Sequence, residues 1–145
     1  MTTWDLGDFL DRYHEALNEF FGGNPEPAKQ LYSHREDVSL GNPFGPFVIG
    51  WQQVETTMDR AASNYSEGRA TGFETVAAQV TSELAYLLEV ERFEAKVGGQ
   101  EIAAAGALRV TTLLRPEDGE WRVVHRHADP IVTPRAAGSV IEPQF

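Results

Sequence analysis

A chain of 145 residues, 41% hydrophobic, 23% charged and 10% aromatic, has the length and composition of one globular domain that needs no metal or disulfide to be stable. It contains no cysteine, which removes thiol nucleophiles, disulfide frameworks and cysteine metal sites. Twelve Lys and Arg against 22 Asp and Glu give a formal charge of −10, which repels phosphate backbones and anionic membranes and argues against both as partners.

No apolar run approaches membrane-spanning length, and "MTTWDLGDFL" carries acids where a secretory signal would carry Arg or Lys, so the expected location is the cytoplasm. From Trp4 to Phe21 the residues Leu6, Phe9, Leu10, Tyr13, Ala16, Leu17, Phe20 and Phe21 recur at spacings of three and four, which predicts an amphipathic helix stopped by Gly22-Gly23. Pro25 and Pro27 suit the start of a second short helix through Tyr32, and "HREDVSL" reads as a short strand. "GNPFGPFVIG" is a loop carrying aromatics, because Asn42 and Gly45 each precede a proline and are pushed to extended geometry. A third helix is expected from about Trp51 to Tyr65, with Val54, Met58, Ala61 and Ala62 on its apolar face.

The period then changes. Four β-rich segments follow, near 70–81, 84–96, 101–115 and 120–128, separated by Ser82-Glu83, Gly98-Gly99 and "PEDG". Helices first and an antiparallel meander second predict an α+β fold, three helices on a curved sheet, in a single domain over residues 1–145 with a tail from about 131.

Side chains alternate along a strand, so the short turns sort residues by face. The simplest registers put Gln79, Tyr86, Leu88, Arg109, Thr111, Val124 and Arg126 on one face, and Glu89, Glu91, Leu108, Val110, Thr112, Trp121, Val123, His125 and His127 on the other. The first mixes small residues with a polar centre, as a ligand cavity under helices requires, and is expected to line it with Trp51, Met58 and Phe44. The second is more continuously apolar and is expected to form a homodimer interface. A single β-bulge would reverse this relation for one strand.

"LYSHREDVSLGNPFGPFVIGW", "LAYLLEVERF" and "LRVTTLLRPEDGEWRVVHRHADP", with the helix before them, resemble the SnoaL-like branch of the nuclear transport factor two-like, or ketosteroid-isomerase-like, superfamily. The resemblance implies a conical α+β fold with a pocket between helices and sheet, commonly dimeric, and cofactor-free proton transfer in isomerases, polyketide cyclases or dehydratases. It also implies Tyr13 as a phenol donor and Asp37 as a base. No sheet aspartate stands on the expected pocket face, where Arg109 and Thr111 are found instead, which argues against the steroid isomerase mechanism.

Each candidate has a plainer role. Asp37 lies in the charged run "HRED" and could equally be a solvated turn, while Arg109 is either a ligand contact or half of an ion pair. Tyr13 and Tyr86 could simply be core. His125 and His127, at alternate strand positions, are structural or interface residues, a reserve acid/base pair, or less readily metal ligands. The expected function is therefore a cofactor-independent isomerase, cyclase or dehydratase acting on a small apolar, carbonyl-bearing molecule, without a metal; the alternative is a non-catalytic ligand-binding or dimerisation module.

Overall fold

A computed structural model describes residues 5–143. Trp4, at the head of the expected first helix, and the last two residues of the expected tail lie outside them. In chain order the elements are α1 (Gly7–Phe21), α2 (Glu26–Leu31), β1 (Ser39–Gly41), β2 (Val48–Ile49), α3 (Trp51–Ala62), β3 (Tyr65–Val80), β4 (Ala85–Val97), β5 (Ala104–Glu117), β6 (Glu120–Asp129) and a short 3₁₀ turn, Ala137–Val140. The six strands form one sheet in the order β2-β1-β6-β5-β4-β3, antiparallel except where β1 runs parallel to β6. Three helices pack on this open sheet in the α+β arrangement that the pattern of periods predicts. Among the described residues, no helix is long and apolar enough to cross a membrane.

The apolar face of α1, carrying Phe9, Tyr13, Ala16, Leu17 and Phe21, is buried against the sheet, and α3 contributes Val54, Met58, Ala61 and Ala62. The third helix stops at Ala62, and Tyr65 opens β3. That strand begins earlier than the expected 70 because register shifts near Ser66, Ala70 and Thr75 break its alternation. The first of these brings Gly68 against α1, where a Cβ would collide with the Phe21 carbonyl oxygen and with Ala95. Gly68→Ala is therefore expected to lower stability by about 1–3 kcal/mol, measured by urea unfolding, since backbone rather than a movable side chain is in the way.

The hairpins settle the faces. Gln79 pairs with Tyr86 as expected, and Leu88 pairs with Thr111 rather than Arg109, a shift of two residues that leaves the faces unchanged. On β6, Trp121 to Val123 run in one register, but Leu113 pairs with His125 while Leu114 pairs with Val123, so Val124 is an inserted bulge residue. Past it the strand is flipped, and Arg126 and Ala128 join Val123 on the buried side while His125 and His127 do not.

The helices cover the face opposite to the one expected. Leu87, Glu89, Glu91 and Phe93 of β4 and Leu108, Val110, Thr112 and Leu114 of β5 are all buried beneath them. Tyr86, Leu88, Thr111 and Arg109 lie on the outer face, with Gln79 exposed on β3. The covered face is the more continuously apolar one, expected to meet a second subunit, and its two acids, Glu89 and Glu91, are buried at alternate positions within it. Each has a side-chain partner that only the tertiary fold supplies, half-buried His14 for Glu89 and buried Arg126 for Glu91.

Candidate functional site

A recess opens between the helices and the inner sheet face, walled by Leu17, Phe21 and Met58 from the helices and Leu40, Leu108 and Ala128 from the strands. Its space is about 540 Å³ only with the solvent at its open mouth counted in, and the closed part is far smaller, about 40 Å³. Asn42, Pro43 and Phe44 border it, and the Phe44 ring packs 5.9 Å from that of Tyr65. The proline-rich loop is stiff by composition, and it places one aromatic side chain at the rim.

The polar groups lie at the base. Arg126 donates from Nη1 to the Tyr13 hydroxyl at 2.6 Å, and forms a two-pronged pair with Glu91 at 2.7 Å on each oxygen. The Tyr13 hydroxyl also shares a 3.0 Å hydrogen bond with Thr112 Oγ1. Tyr13 and Glu91 are fully buried, and Arg126 is 8% exposed. A guanidinium and a carboxylate can be held so deep only because each is bonded by the other. Burial raises the Tyr13 phenol above its ordinary value, with Arg126 working against that shift. Burial pulls the Arg126 guanidinium down, but Glu91 and Tyr13 beside it leave it well above normal, so it stays charged.

Tyr32 and Tyr65 also line the recess. Burial pushes the Tyr65 phenol up to about 12, and raises that of Tyr32 further.

Of the residues expected at the site, Tyr13, Met58, Phe44 and Arg126 line the recess. Asp37 does not: it is an exposed residue bonded by Arg115 at 2.7 and 3.0 Å. The hydrogen bond from Arg115 holds the Asp37 carboxyl below its usual range, the opposite of what a base near neutrality needs. Arg109 sits on the outer face in a two-pronged pair with Asp129, at 3.1 and 2.8 Å. Trp51 stacks on His34 with centroids 3.9 Å apart, outside the recess lining. Gln79, Tyr86, Leu88 and Thr111 are excluded from it by the face they occupy, and Val124 by its place in the bulge.

Glu91, Thr112, Tyr32 and Tyr65 are the residues that sequence reasoning missed. A usable signal was the row Leu87, Glu89, Glu91, Phe93, where two acids alternate in phase with large apolar residues. Glu89 is the neighbouring instance: both of its oxygens bond His14 Nε2, at 3.0 and 2.9 Å, and Thr75 donates to it at 3.0 Å.

The two sheet histidines pair with β1, His125 with Ser39 and His127 with Gly41. His125 Nδ1 is 2.8 Å from the Ser39 hydroxyl, and Phe47 packs against both imidazoles. Among the described residues no group of three or more His, Cys, Asp or Glu could hold a metal ion. Burial, with the neighbouring His127, lowers the His125 pKa. The folded state therefore binds this proton less readily than the unfolded chain, and stability falls as pH drops through about 6.5 toward the lower folded value. Melting curves between pH 7.5 and 5.5 should show this slope in the native protein and a flatter one in His125→Gln.

A family model for the SnoaL-like domain matches residues 7–133. Similar solved structures include a candidate dehydratase of the NTF2-like family from Streptomyces avermitilis, 17% identical, covering 88% of this chain and 95% of that one with a TM-score of 0.70. An NTF2-like superfamily protein from Salmonella enterica is 18% identical over 90% of this chain and 91% of its own, with a TM-score of 0.71. A ketosteroid isomerase-like protein from Erwinia carotovora is 14% identical over 88% and 95%, with a TM-score of 0.72. Among curated proteins none matches this chain.

Proposed function

Because this chain belongs to the SnoaL-like domain family, whose fold is shared by proteins described as isomerase-like and dehydratase, we propose that its recess binds a small apolar, carbonyl-bearing molecule and polarises it for cofactor-free isomerisation, cyclisation or dehydration. The observation that carries this reading is the 2.6 Å hydrogen bond from Arg126 to the Tyr13 hydroxyl at the base of an apolar recess. With Arg126 and Thr112 both able to donate to the phenol oxygen, the phenol's own proton is free to turn to a ligand carbonyl. Charge that develops on the carbonyl oxygen is then met by Tyr13 and, behind it, by the guanidinium. The α C–H of the bound molecule becomes more acidic, and its proton passes to solvent or to a basic group of the substrate.

The direct test is α-proton exchange. Small cyclic ketones incubated with the protein in D₂O should lose their α-proton NMR signals faster than in buffer, and the excess rate should vanish in Tyr13→Phe. Exchange no faster than in buffer across a range of ring ketones would remove the catalytic reading.

A second reading, a ligand-binding module without chemistry, is favoured by one observation. No carboxylate is among the described residues lining the recess, and both oxygens of Glu91, which stands behind Arg126, are taken by that guanidinium.

For the outer sheet face we propose a homodimer contact. Tyr86, Leu88, Val90, Thr111 and Leu113 are all half-buried there with no helix over them. Leu88→Glu should shift sedimentation at micromolar concentration from dimer to monomer without unfolding the protein. A wild-type monomer would end this part of the proposal.

A further inference from the structure

Glu89 is a buried acid that the recess does not use. Its side chain is 1% exposed and lies outside the recess lining. Both of its oxygens face His14 Nε2, at 3.0 and 2.9 Å, and Thr75 donates to one of them at 3.0 Å. A buried pair of this kind is often no better for stability than apolar side chains of the same size. What it does fix is the tautomer. A carboxylate only accepts, so the imidazole proton is on Nε2 and the lone pair of the neutral ring is on Nδ1. The ring plane is fixed as well, because the imidazole lies on Phe73 with centroids 3.8 Å apart and planes within 2° of parallel.

Nδ1 of His14 has no hydrogen bond among the described residues, and no buried side-chain nitrogen or oxygen among them is without a partner, so this nitrogen reaches open space. The space that His14 lines is a groove between α1, α2 and β3, with Asn18, Gln30, Ala70 and Phe73 around it. Asn18 is exposed and follows His14 by four residues, which sets the two side chains on one face of α1 with Cβ atoms roughly 5–6 Å apart. Its Oδ1 accepts from the Ala70 N–H at 2.8 Å, so its orientation is fixed too, and the Nδ2 amide is left free to donate. A base and a donor thus stand one helical turn apart, each held by a different partner. Glu15 and Glu19 outnumber Arg12 along the groove, which disfavours an anionic ligand.

We propose that His14 and Asn18 form a hydrolytic site, separate from the recess, for a small neutral carboxylic ester, and that Glu89 is the residue positioning the imidazole. Nδ1 adjoins the Cβ of the histidine, where a water fits more readily than an acyl carbon, so water rather than the imidazole is the attacking group. A water bonded to Nδ1 gives up a proton to it as the water oxygen joins the carbonyl carbon, and Asn18 Nδ2 donates to the carbonyl oxygen on which charge develops. The C–O bond to the alcohol then breaks, and the imidazolium returns the proton to the departing oxygen. Ester and water become acid and alcohol, and the ring ends as it began.

Hydrolysis of p-nitrophenyl acetate at pH 7.5, followed by release of nitrophenol, tests this on the native chain. The rate should exceed that in buffer and fall in D₂O. His14→Gln should cut the protein-dependent rate by about 10²-fold, the lower range for a positioned base, and Asn18→Leu by about tenfold, the worth of one hydrogen bond to a developing charge. Glu89→Gln should lower kcat with KM unchanged, as a loss of positioning does and a general loosening of the groove does not. Asn18 is exposed and outside the Glu89 pair, so Asn18→Leu keeps the test decisive if His14→Gln does not fold. Hydrolysis no faster than in buffer, or a protein-dependent rate left unchanged by His14→Gln or by Asn18→Leu, would overturn the site. An equal rate in H₂O and D₂O would overturn water as the attacking group, and a native kcat in Glu89→Gln would overturn its positioning role. Neither His14 nor Asn18 lines the recess, so these outcomes leave the carbonyl-site reading to its own test.

Discussion

Glu91→Leu is expected to lower folding stability by about 3–5 kcal/mol, because it leaves the Arg126 guanidinium buried without its counter-charge. The pair is two-pronged at 2.7 Å, with side chains 10% and 0% exposed, so water cannot replace the lost carboxylate. Urea unfolding should show the midpoint falling with little change in slope, and the melting temperature should drop by about 10 °C or more. The cost belongs to breaking the pair rather than to lacking it. Replacing both partners, as Glu91→Leu with Arg126→Met, should therefore recover most of the loss, since two apolar side chains of similar size can fill the space. The outer pair of Arg109 with Asp129 gives the contrast: its arginine side chain is 56% exposed, and Asp129→Asn should move the midpoint far less. Equal effects from the two single variants would mean that the inner network is hydrated.

The same pair explains what could and could not be read from the chain. Periodicity placed α1, α3 and the four long strands well, because their apolar residues follow one period over many positions. The loop of Phe44 and the short hairpin turn at Ser82-Glu83 were legible from local chemistry alone. The faces of β4 and β5 were also sorted correctly within each strand, since alternation is local. Choosing which face the helices cover needs tertiary information, because it turns on the burial of Glu89 and Glu91. Their partners stand 75 and 35 residues away, at His14 and Arg126. The Val124 bulge then decided that Arg126, rather than His125 and His127, would look inward. Nothing in "WRVVHRHADP" marks that position, for a bulge is a matter of pairing between strands.

Tyr13→Phe carries the largest expected effect on chemistry. The substitution removes one hydroxyl and keeps the ring that packs 5.5 Å from Phe9, so the fold should survive with a modest loss from leaving Thr112 and one Arg126 N–H without their partner. If the phenol donates to a carbonyl as charge builds on its oxygen, its removal should slow α-proton exchange in D₂O by roughly 10²–10³-fold, the range found when a positioned oxyanion donor is lost. Ground-state affinity for the ketone should fall much less, by about the two- to tenfold of a single hydrogen bond. It is the gap between these two numbers that separates a catalyst from a binding module, because only an interaction that strengthens in the transition state lowers the rate more than the affinity. A fall in rate no larger than the fall in affinity would place Tyr13 in ligand binding alone. Arg126 would then act by holding the phenol in position, and the recess would recognise its ligand without transforming it.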